Sequence, residues 1–166
     1  MKIIGIDPGS SFTGWGIIEE IQGSLRLIDC GVIRPKSKGK ENFAERISFI
    51  YKELLAINDY YEPQEAAIEQ VFTAKNALTA LKLGQARGVA VAACASFEMP
   101  IFDYPPTLVK KSLVGVGHAE KEQVAFMVGK ILNVRTDSFK LDTTDALGIA
   151  LCHYTMRRYH NIVKKA

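Results

Sequence analysis

The first 33 residues contain three strand-like segments joined by short connections. The segments cover 2–6, roughly 13–20 and 25–33, and Gly23 and Ser24 form a tight turn between the second and the third. Parallel strands need a crossover of a dozen or more residues, so connections this short join antiparallel neighbours. The start of the chain therefore predicts three antiparallel strands.

The rest of the chain alternates between helical and strand patterns. Apolar residues recur at helical spacing over roughly 41–60, and Pro63 follows the end of that segment, which predicts an amphipathic helix. Short buried strands are predicted at 66–69 and 101–104, and a helix over about 76–97. Three antiparallel strands followed by alternating helices and strands predict an α/β fold, with a mixed sheet and helices on both of its faces.

The size and composition of the chain indicate one globular unit. Its 166 residues, 48% hydrophobic and 23% charged, suit a single domain over 1–166 that buries roughly two-thirds of its unfolded surface. Neither a signal peptide nor a membrane-spanning segment is evident, so we expect a cytoplasmic protein without a membrane partner. Cys30, Cys94 and Cys152 lie far apart, which indicates reduced packing residues rather than disulfides or a zinc site.

The net charge of +3 is mild, but the basic residues are clustered. Because candidate active-site acids already contribute negative charge, the remaining surface must be more basic than the total indicates. This distribution favours nucleic acid binding, although solvated lysines that keep the protein in solution are an alternative for each cluster. The clusters are Arg34, Lys36, Lys38 and Lys40, then Lys110, Lys111 and Lys121, and finally Arg157, Arg158, Lys164 and Lys165.

Four carboxylates, Asp7, Glu69, Asp142 and Asp145, lie where an apolar run ends or a helix begins. Asp7 could instead be a turn former, and Asp142 with Asp145 could be a helix N-cap followed by an acid that favours the helix dipole. A purely structural role explains Glu69 less well, because apolar residues surround it in sequence and an unpaired buried charge is costly. Glu69 therefore needs a cation nearby.

These acids can converge at one edge of the predicted sheet. Carboxylate oxygens are ligands that Mg²⁺ prefers, and such a cluster could hold two Mg²⁺ ions about 3.5–4 Å apart for in-line displacement at a phosphodiester. Lys121 could add positive charge for the developing phosphate oxygens, or be an exposed lysine at a helix start. The sequence predicts metal-dependent phosphodiester chemistry.

Small residues share one face of the predicted helix over 76–97. Gly84, Gly88 and Ala92 are four residues apart, and glycine inside a helix costs about 1 kcal/mol relative to alanine. Two explanations stay open, namely close packing onto the protein's own sheet and a homodimer interface.

Motifs that together span nearly the whole chain resemble the RuvC family of Holliday-junction endonucleases, within the RNase H-like superfamily. They occur in the order found in that family. The matching segments are GIDPGS at 5–10, IEQVF at 68–72, AKN at 74–76, ALKLGQARGVA at 80–90, VK at 109–110, VGVG at 114–117, AEK at 119–121 and DTTDAL at 142–147.

The resemblance implies roles for individual residues. Asp7, Glu69, Asp142 and Asp145 correspond to the catalytic metal ligands, and some relatives have His at the position of Asp142. Phe72 corresponds to an aromatic residue that meets unpaired or unstacked bases, although packing in the core is an alternative for it. The basic residues implied in DNA binding are Lys75, Lys82, Arg87, Lys110, Lys111 and Lys121, of which Lys110 and Lys121 would approach the scissile phosphate or the backbone.

The resemblance also implies an assembly and a reaction. Such enzymes are homodimers that nick two strands of a four-way junction symmetrically, which suits the face of Gly84, Gly88 and Ala92. They use Mg²⁺, with Mn²⁺ as a substitute, and work with a junction-binding and branch-migrating motor complex of the RuvA and RuvB type in recombination and repair.

Two alternative functions are weighed against this one. The segment GIDPGS also resembles the phosphate loop of actin-like sugar kinases and chaperone ATPases, but those proteins need a second lobe and a second phosphate loop. A non-catalytic RNase H-like module that binds nucleic acid is the other alternative, and four intact acids argue against it.

Overall fold

The computed structural model describes residues 1–35, 42–70 and 76–163, with side chains as far as residue 158. Within these ranges the chain forms five strands and five helices. In chain order these are β1 (Lys2–Asp7), β2 (Thr13–Ile21), β3 (Ser24–Ile33), α1 (Phe43–Tyr61), β4 (Glu65–Glu69), α2 (Ala77–Ala95), β5 (Ile101–Tyr104), α3 (Pro106–Val114), α4 (Lys121–Leu132) and α5 (Leu141–Val163).

The strands form one mixed sheet in the order β3-β2-β1-β4-β5. The first three strands are antiparallel neighbours, whereas β4 is parallel to β1 and β5 is parallel to β4. This confirms the predicted antiparallel start and the predicted mixed sheet. The turn between β2 and β3 consists of Gln22 and Gly23, both with positive φ, so it lies one residue earlier than predicted and Ser24 begins β3. Positive φ at both central residues matches the twist of a two-residue hairpin.

Helices cover both faces of the sheet, as predicted. Ile4 and Ile6 of β1 pack in the core under α1 and α2, whereas Ile3 packs in the core under α3, α4 and α5. This alternation follows from the strand period of two. The two cores together fix the sheet between the helix layers.

Helix α5 lies unusually close to the sheet because glycines face it. A Cβ added at Gly5 would lie 2.1 Å from the carbonyl oxygen of Ala146, and one added at Gly14 would lie 2.0 Å from that of Asp142. Only glycine permits this approach. The contact sets the position of the first turns of α5, which carry Asp142 and Asp145.

Two further observations concern the cysteines and the possibility of a membrane-spanning helix. Cys94 and Cys152 are buried, Cys30 is partly buried, and all three are free thiols, which confirms their role as packing residues. Among the described residues, the helices are too short or too polar to cross a bilayer.

Candidate active site

Asp7 and Glu69 lie side by side at one edge of the sheet. They end β1 and β4, which are parallel neighbours, and the register pairs Ile6 with Ile68 immediately before them. Burial raises the pKa of Glu69, and the negative charge of Asp7 acts on Glu69 and raises it further. The hydroxyl of Thr13, rather than Asp7, closes the following turn, because its Oγ1 accepts from the Gly9 amide at 3.4 Å and donates to the Gly9 carbonyl at 2.8 Å.

Helix α5 brings two more acids to the same edge. Gly14 is the antiparallel partner of Asp7, and its contact with the Asp142 backbone places the start of α5 beside β1. The helix begins at Leu141, so Asp142 lies within it and is not its N-cap. The N-cap explanation for Asp142 is therefore wrong, although Asp142 lies in the first turn, where a negative charge favours the helix dipole.

Two lysines face these acids. Lys121 is the first residue of α4, and its side chain is half exposed while its ammonium donates to the Asp145 carboxylate. Lys110 of α3 borders the same cavity, which has a volume of about 280 Å³. The residues that line this cavity are Asp7, Glu69, Pro106, Val109, Lys110, Lys121, Val124 and Asp145.

Burial and crowding of like charges disfavour the ionised acids. Burial is the main cause that raises the pKa of Glu69 to about 8, followed by the negative charges of Asp7 and Asp145. Burial also raises the pKa of Asp7 to about 6, and the charges of Asp145 and Asp142 add to this. Burial alone would lower the pKa of Lys121, but the hydrogen bond and charge of Asp145 raise it above its usual value.

The donor set at this edge fits a divalent metal ion. Asp7, Glu69 and Asp145 supply hard oxygen ligands, and the raised pKa values of Asp7 and Glu69 mark a place where positive charge is lacking. In the described part of the chain no three Asp, Glu, His or Cys side chains are already grouped closely enough to share one ion. Lys121 lies instead against Asp145, so metal binding requires the ammonium and the carboxylates to rearrange.

Other basic residues predicted to bind DNA are not part of this cavity. The Lys82 ammonium lies 5.8 Å from the centre of the Phe43 ring, and an Arg87 Nη donates to Asp103 at 2.5 Å. Lys111 is exposed on α3 beside Lys110. The residues Phe72, Lys75, Lys36, Lys38, Lys40, Lys164 and Lys165 lie outside the described ranges.

The small-residue face of α2 is open to solvent. A Cβ added at Gly84 or Gly88 would meet no atom within 4 Å, and Ala92 is exposed as well. Packing onto the protein's own sheet is therefore wrong as an explanation, because α2 turns Ala86, Ala90 and Cys94 inward instead. An apolar groove of about 540 Å³ runs between this face and α1.

A buried polar chain behind the site was missed at the sequence level. The Tyr104 hydroxyl lies 2.7 Å from Nδ1 of His153, whose Nε2 lies 2.8 Å from a Glu65 carboxylate oxygen. The chain links β5, α5 and β4, and Arg157 Nε donates to the other Glu65 oxygen at 3.0 Å. These residues are far apart in sequence, and the only signal was a lone histidine within an apolar helical stretch.

Comparison with known proteins gives closely similar sequences. The family model described as crossover junction endodeoxyribonuclease RuvC matches residues 3–153. The chain is 56% identical over 161 residues to a crossover junction endodeoxyribonuclease RuvC of Lawsonia intracellularis (strain PHE/MN1-00), covering 97% of this chain and 94% of the relative. It is 56% identical over 158 residues to the one from Nitratidesulfovibrio vulgaris (strain Hildenborough), covering 95% and 93%.

Solved structures are similar to this chain over nearly its whole length. The chain is similar to the Thermus thermophilus RuvC structure, with a TM-score of 0.85 and 33% identity over 96% of this chain and 97% of that one. It is also similar to T. thermophilus RuvC in complex with Holliday junction substrate, with a TM-score of 0.88 and 32% identity over 96% of each chain. The yeast mitochondrial Holliday junction resolvase Ydc2, 14% identical with a TM-score of 0.70 over 98% of this chain and 83% of that one, shares the fold.

Proposed function

The chain belongs to the RuvC family of crossover junction endodeoxyribonucleases, and from this premise we propose that it resolves four-way DNA junctions by hydrolysing one phosphodiester bond in each of two strands. One observation carries the proposal for this chain. Asp7, Glu69 and Asp145 meet Lys110 and Lys121 around a single cavity at the edge of the sheet. Carboxylates and ammonium groups in one cavity are the parts that phosphodiester hydrolysis needs.

The proposed mechanism divides the work between acids and lysines. Asp7, Glu69, Asp142 and Asp145 would hold Mg²⁺, two ions per site, with Mn²⁺ as a substitute. The bound metal would activate a water molecule and neutralise charge at the phosphate. Lys110 and Lys121 line the cavity with the acids, so their ammonium groups can donate to the phosphate oxygens as negative charge develops.

Lys121 has a second task in this proposal. Its ion pair with Asp145 compensates the negative charge of that carboxylate before a cation binds. When the metal and the phosphate enter, the ammonium is free to move from the carboxylate to a phosphate oxygen. The same side chain thus neutralises negative charge on the acids first and on the substrate phosphate afterwards.

A homodimer is part of the proposal. The groove between α1 and α2 exposes apolar surface, and the adjoining Leu78 and Leu81 of α2 are 61% and 66% exposed. A second copy of the chain would cover this surface, and the open positions at Gly84 and Gly88 allow a helix of the partner to approach closely. A two-fold dimer would also match a two-fold substrate.

The remaining parts of the proposal concern the setting of the reaction. We place the enzyme, as one nuclease domain over 1–166, in the cytoplasm with a branch-migrating motor complex of the RuvA and RuvB type. Phe72 and Lys75 stay candidates for contacts with DNA, as do Lys82, Arg87 and Lys111.

Cleavage of a synthetic four-way junction tests the proposal. The wild-type protein is incubated with a labelled junction and with a linear duplex of the same sequence, each in Mg²⁺ and in chelator. We expect paired symmetric nicks in the junction only, and only with metal. Binding to the junction without any nick would instead favour a non-catalytic binding module.

A further inference from the structure

The loop between β1 and β2 presents an exposed aromatic ring next to the acid cluster. Phe12 is 45% exposed, and it lies two residues before Gly14, the antiparallel partner of Asp7. Strand spacing therefore places its backbone within roughly 10 Å of that acid. A nucleotide that flanks the scissile phosphate is within reach of a side chain at this distance.

Buried contacts close the loop between β1 and β2. Thr13 is fully buried, and its hydroxyl bonds both the amide and the carbonyl of Gly9. A Cβ at Gly9 would lie 2.2 Å from the carbonyl oxygen of Phe12, so the two ends of the loop are in contact. The position of the Phe12 backbone is thus determined by the fold.

Two arginines support the loop from neighbouring elements. The Arg34 guanidinium, just after β3, lies 4.8 Å from the centre of the Phe12 ring. Arg46 of α1 donates to the Ser10 carbonyl at 2.5 Å and to the Ser11 hydroxyl at 2.7 Å. Across residues 1–35, 42–70 and 76–158, neither arginine has a carboxylate partner, so their positive charge is not neutralised there.

These features together are the kind that bind single-stranded nucleic acid. Bases stack on aromatic faces and on guanidinium planes, and uncompensated arginines attract phosphates. An exposed phenylalanine alone would be unremarkable, since single apolar residues are common on protein surfaces. The combination of an exposed ring on a closed loop, a guanidinium packed over that ring and the adjacent acids points to a ligand.

We propose that Phe12 and Arg34 form a stacking platform for a nucleobase of the nicked strand beside the scissile phosphate, and that Arg46 and Thr13 hold this platform in place. The inference rests on the proposed function and adds a contact that selects unstacked DNA at the junction. Phe12 contacts the base face, and Arg34 contributes both stacking and charge.

Binding measurements with matched variants test the platform. All variants are made in an Asp145→Asn background, and affinity is measured for a junction that carries 2-aminopurine next to the cleavage position. Phe12→Ala should bind about 5- to 100-fold more weakly, from the known worth of base stacking, and should lose the fluorescence change at that position. Phe12→Tyr should retain both, whereas Phe12→Leu should not.

Two further variants separate stacking from charge and from general surface effects. Arg34→Ala should reduce the slope of log affinity against log salt concentration by about one, the value expected for the loss of one phosphate contact. Phe12→Ala should leave that slope unchanged. Tyr60→Ala is the matched control, because Tyr60 is 78% exposed and lies at the other end of α1. We expect it to bind as the background protein does.

The outcomes distinguish the platform from the proposed function. If wild-type protein cuts the junction but Phe12→Ala or Phe12→Leu binds as tightly as Tyr60→Ala, the platform is wrong and the nuclease assignment stands. If Phe12→Ala does not fold, Phe12→Leu and Arg34→Ala decide the question. Failure of the wild type to cut any junction would overturn the proposed function itself.

Discussion

The carboxyl groups of Asp7 and Glu69 lie where burial and mutual repulsion both oppose ionisation. Folding raises their pKa values to about 6 and about 8 from ordinary values of 3.8 and 4.5. Well below pH 3.8 both groups are protonated in the folded and unfolded states alike. As the pH rises toward 8, the unfolded chain loses these protons first, so the free energy of unfolding falls.

An Asp7→Asn substitution should therefore stabilise the metal-free protein. The amide removes one of the repelling charges, so we expect a gain of about 1–3 kcal/mol at pH 8 and much less at pH 4. Thermal unfolding in chelator at both pH values measures this difference.

Metal addition provides the control for the same variant. Mg²⁺ should raise the unfolding temperature of the wild type more than that of Asp7→Asn, because a ligand that binds only the folded state stabilises it. Equal gains at pH 4 and pH 8 would contradict charge repulsion at Asp7, and equal responses to Mg²⁺ would contradict its proposed role as a ligand.

A Lys121→Ala substitution should lower the rate of cleavage more than the affinity for the junction. If its ammonium stabilises charge that develops in the transition state, its loss appears mainly in the rate constant, by about 100-fold. Single-turnover cleavage and equilibrium binding measure the two effects, with Lys52→Ala on the exposed surface of α1 as the control. A loss of affinity as large as the loss of rate would indicate a DNA-binding role only.

At the scale of elements, two sets of contacts hold α5 against the sheet, one at its first turns and one at its middle. Close contacts at Gly5 and Gly14 fix its first turns, and the chain of Tyr104, His153 and Glu65 fixes its middle to β4 and β5. Burial lowers the pKa of His153, so its ring is neutral and accepts from the Tyr104 hydroxyl while donating to Glu65. This anchoring keeps Asp145 aligned with Glu69.

A Tyr104→Phe substitution should destabilise the protein by about 1–3 kcal/mol, because it leaves a buried ring nitrogen of His153 without its donor. Urea denaturation at pH 7.5 measures the change. Tyr154→Phe is the control, because its hydroxyl only accepts a 3.3 Å hydrogen bond from Arg158 at the surface, and we expect a change within about 0.5 kcal/mol. Equal stability of the two variants would show that the buried chain does not anchor α5.

The sequence predicted these elements well, because their signals are local. Strand alternation, a turn glycine and helical spacing predicted the antiparallel start and the mixed sheet, and they placed most of the predicted boundaries within one or two residues. The order of the strands in the sheet was not predicted. The strand-end positions of Asp7 and Glu69 also predicted that the two acids would meet. In contrast, the ion pair of Lys121 with Asp145 and the buried chain at His153 join residues 24 to 88 positions apart, and no local pattern records such contacts.

At the scale of the whole molecule, the apolar groove between α1 and α2 is a surface that the described part of one chain leaves uncovered. It lies across the sheet from α5, with Gly88 and Ala92 of α2 facing Phe43 and Tyr51 of α1. A second copy that covers this groove would place two acid clusters in one particle. Paired nicking then follows from symmetry rather than from two independent cuts.

A Gly88→Arg substitution should separate the dimer without unfolding the monomer. An added side chain at Gly88 meets no atom of its own chain within 4 Å, but it would occupy the space that a partner helix needs. Sedimentation equilibrium should give twice the mass of one chain for the wild type and the mass of one chain for this variant. Glu53→Arg, which changes an exposed residue elsewhere on α1, should stay dimeric, and a dimeric Gly88→Arg protein would contradict the proposed interface.

The most direct test of the central claim is single-turnover cleavage of a four-way junction by Asp145→Asn in Mg²⁺, with binding measured in parallel. Asp59→Asn on the exposed surface of α1 serves as the matched control. If the converging acids hold the metal that drives hydrolysis, Asp145→Asn binds the junction but cuts it at least about 100-fold more slowly, while Asp59→Asn cuts at the wild-type rate. Cleavage by Asp145→Asn at the wild-type rate would contradict the claim that this cluster is the catalytic site.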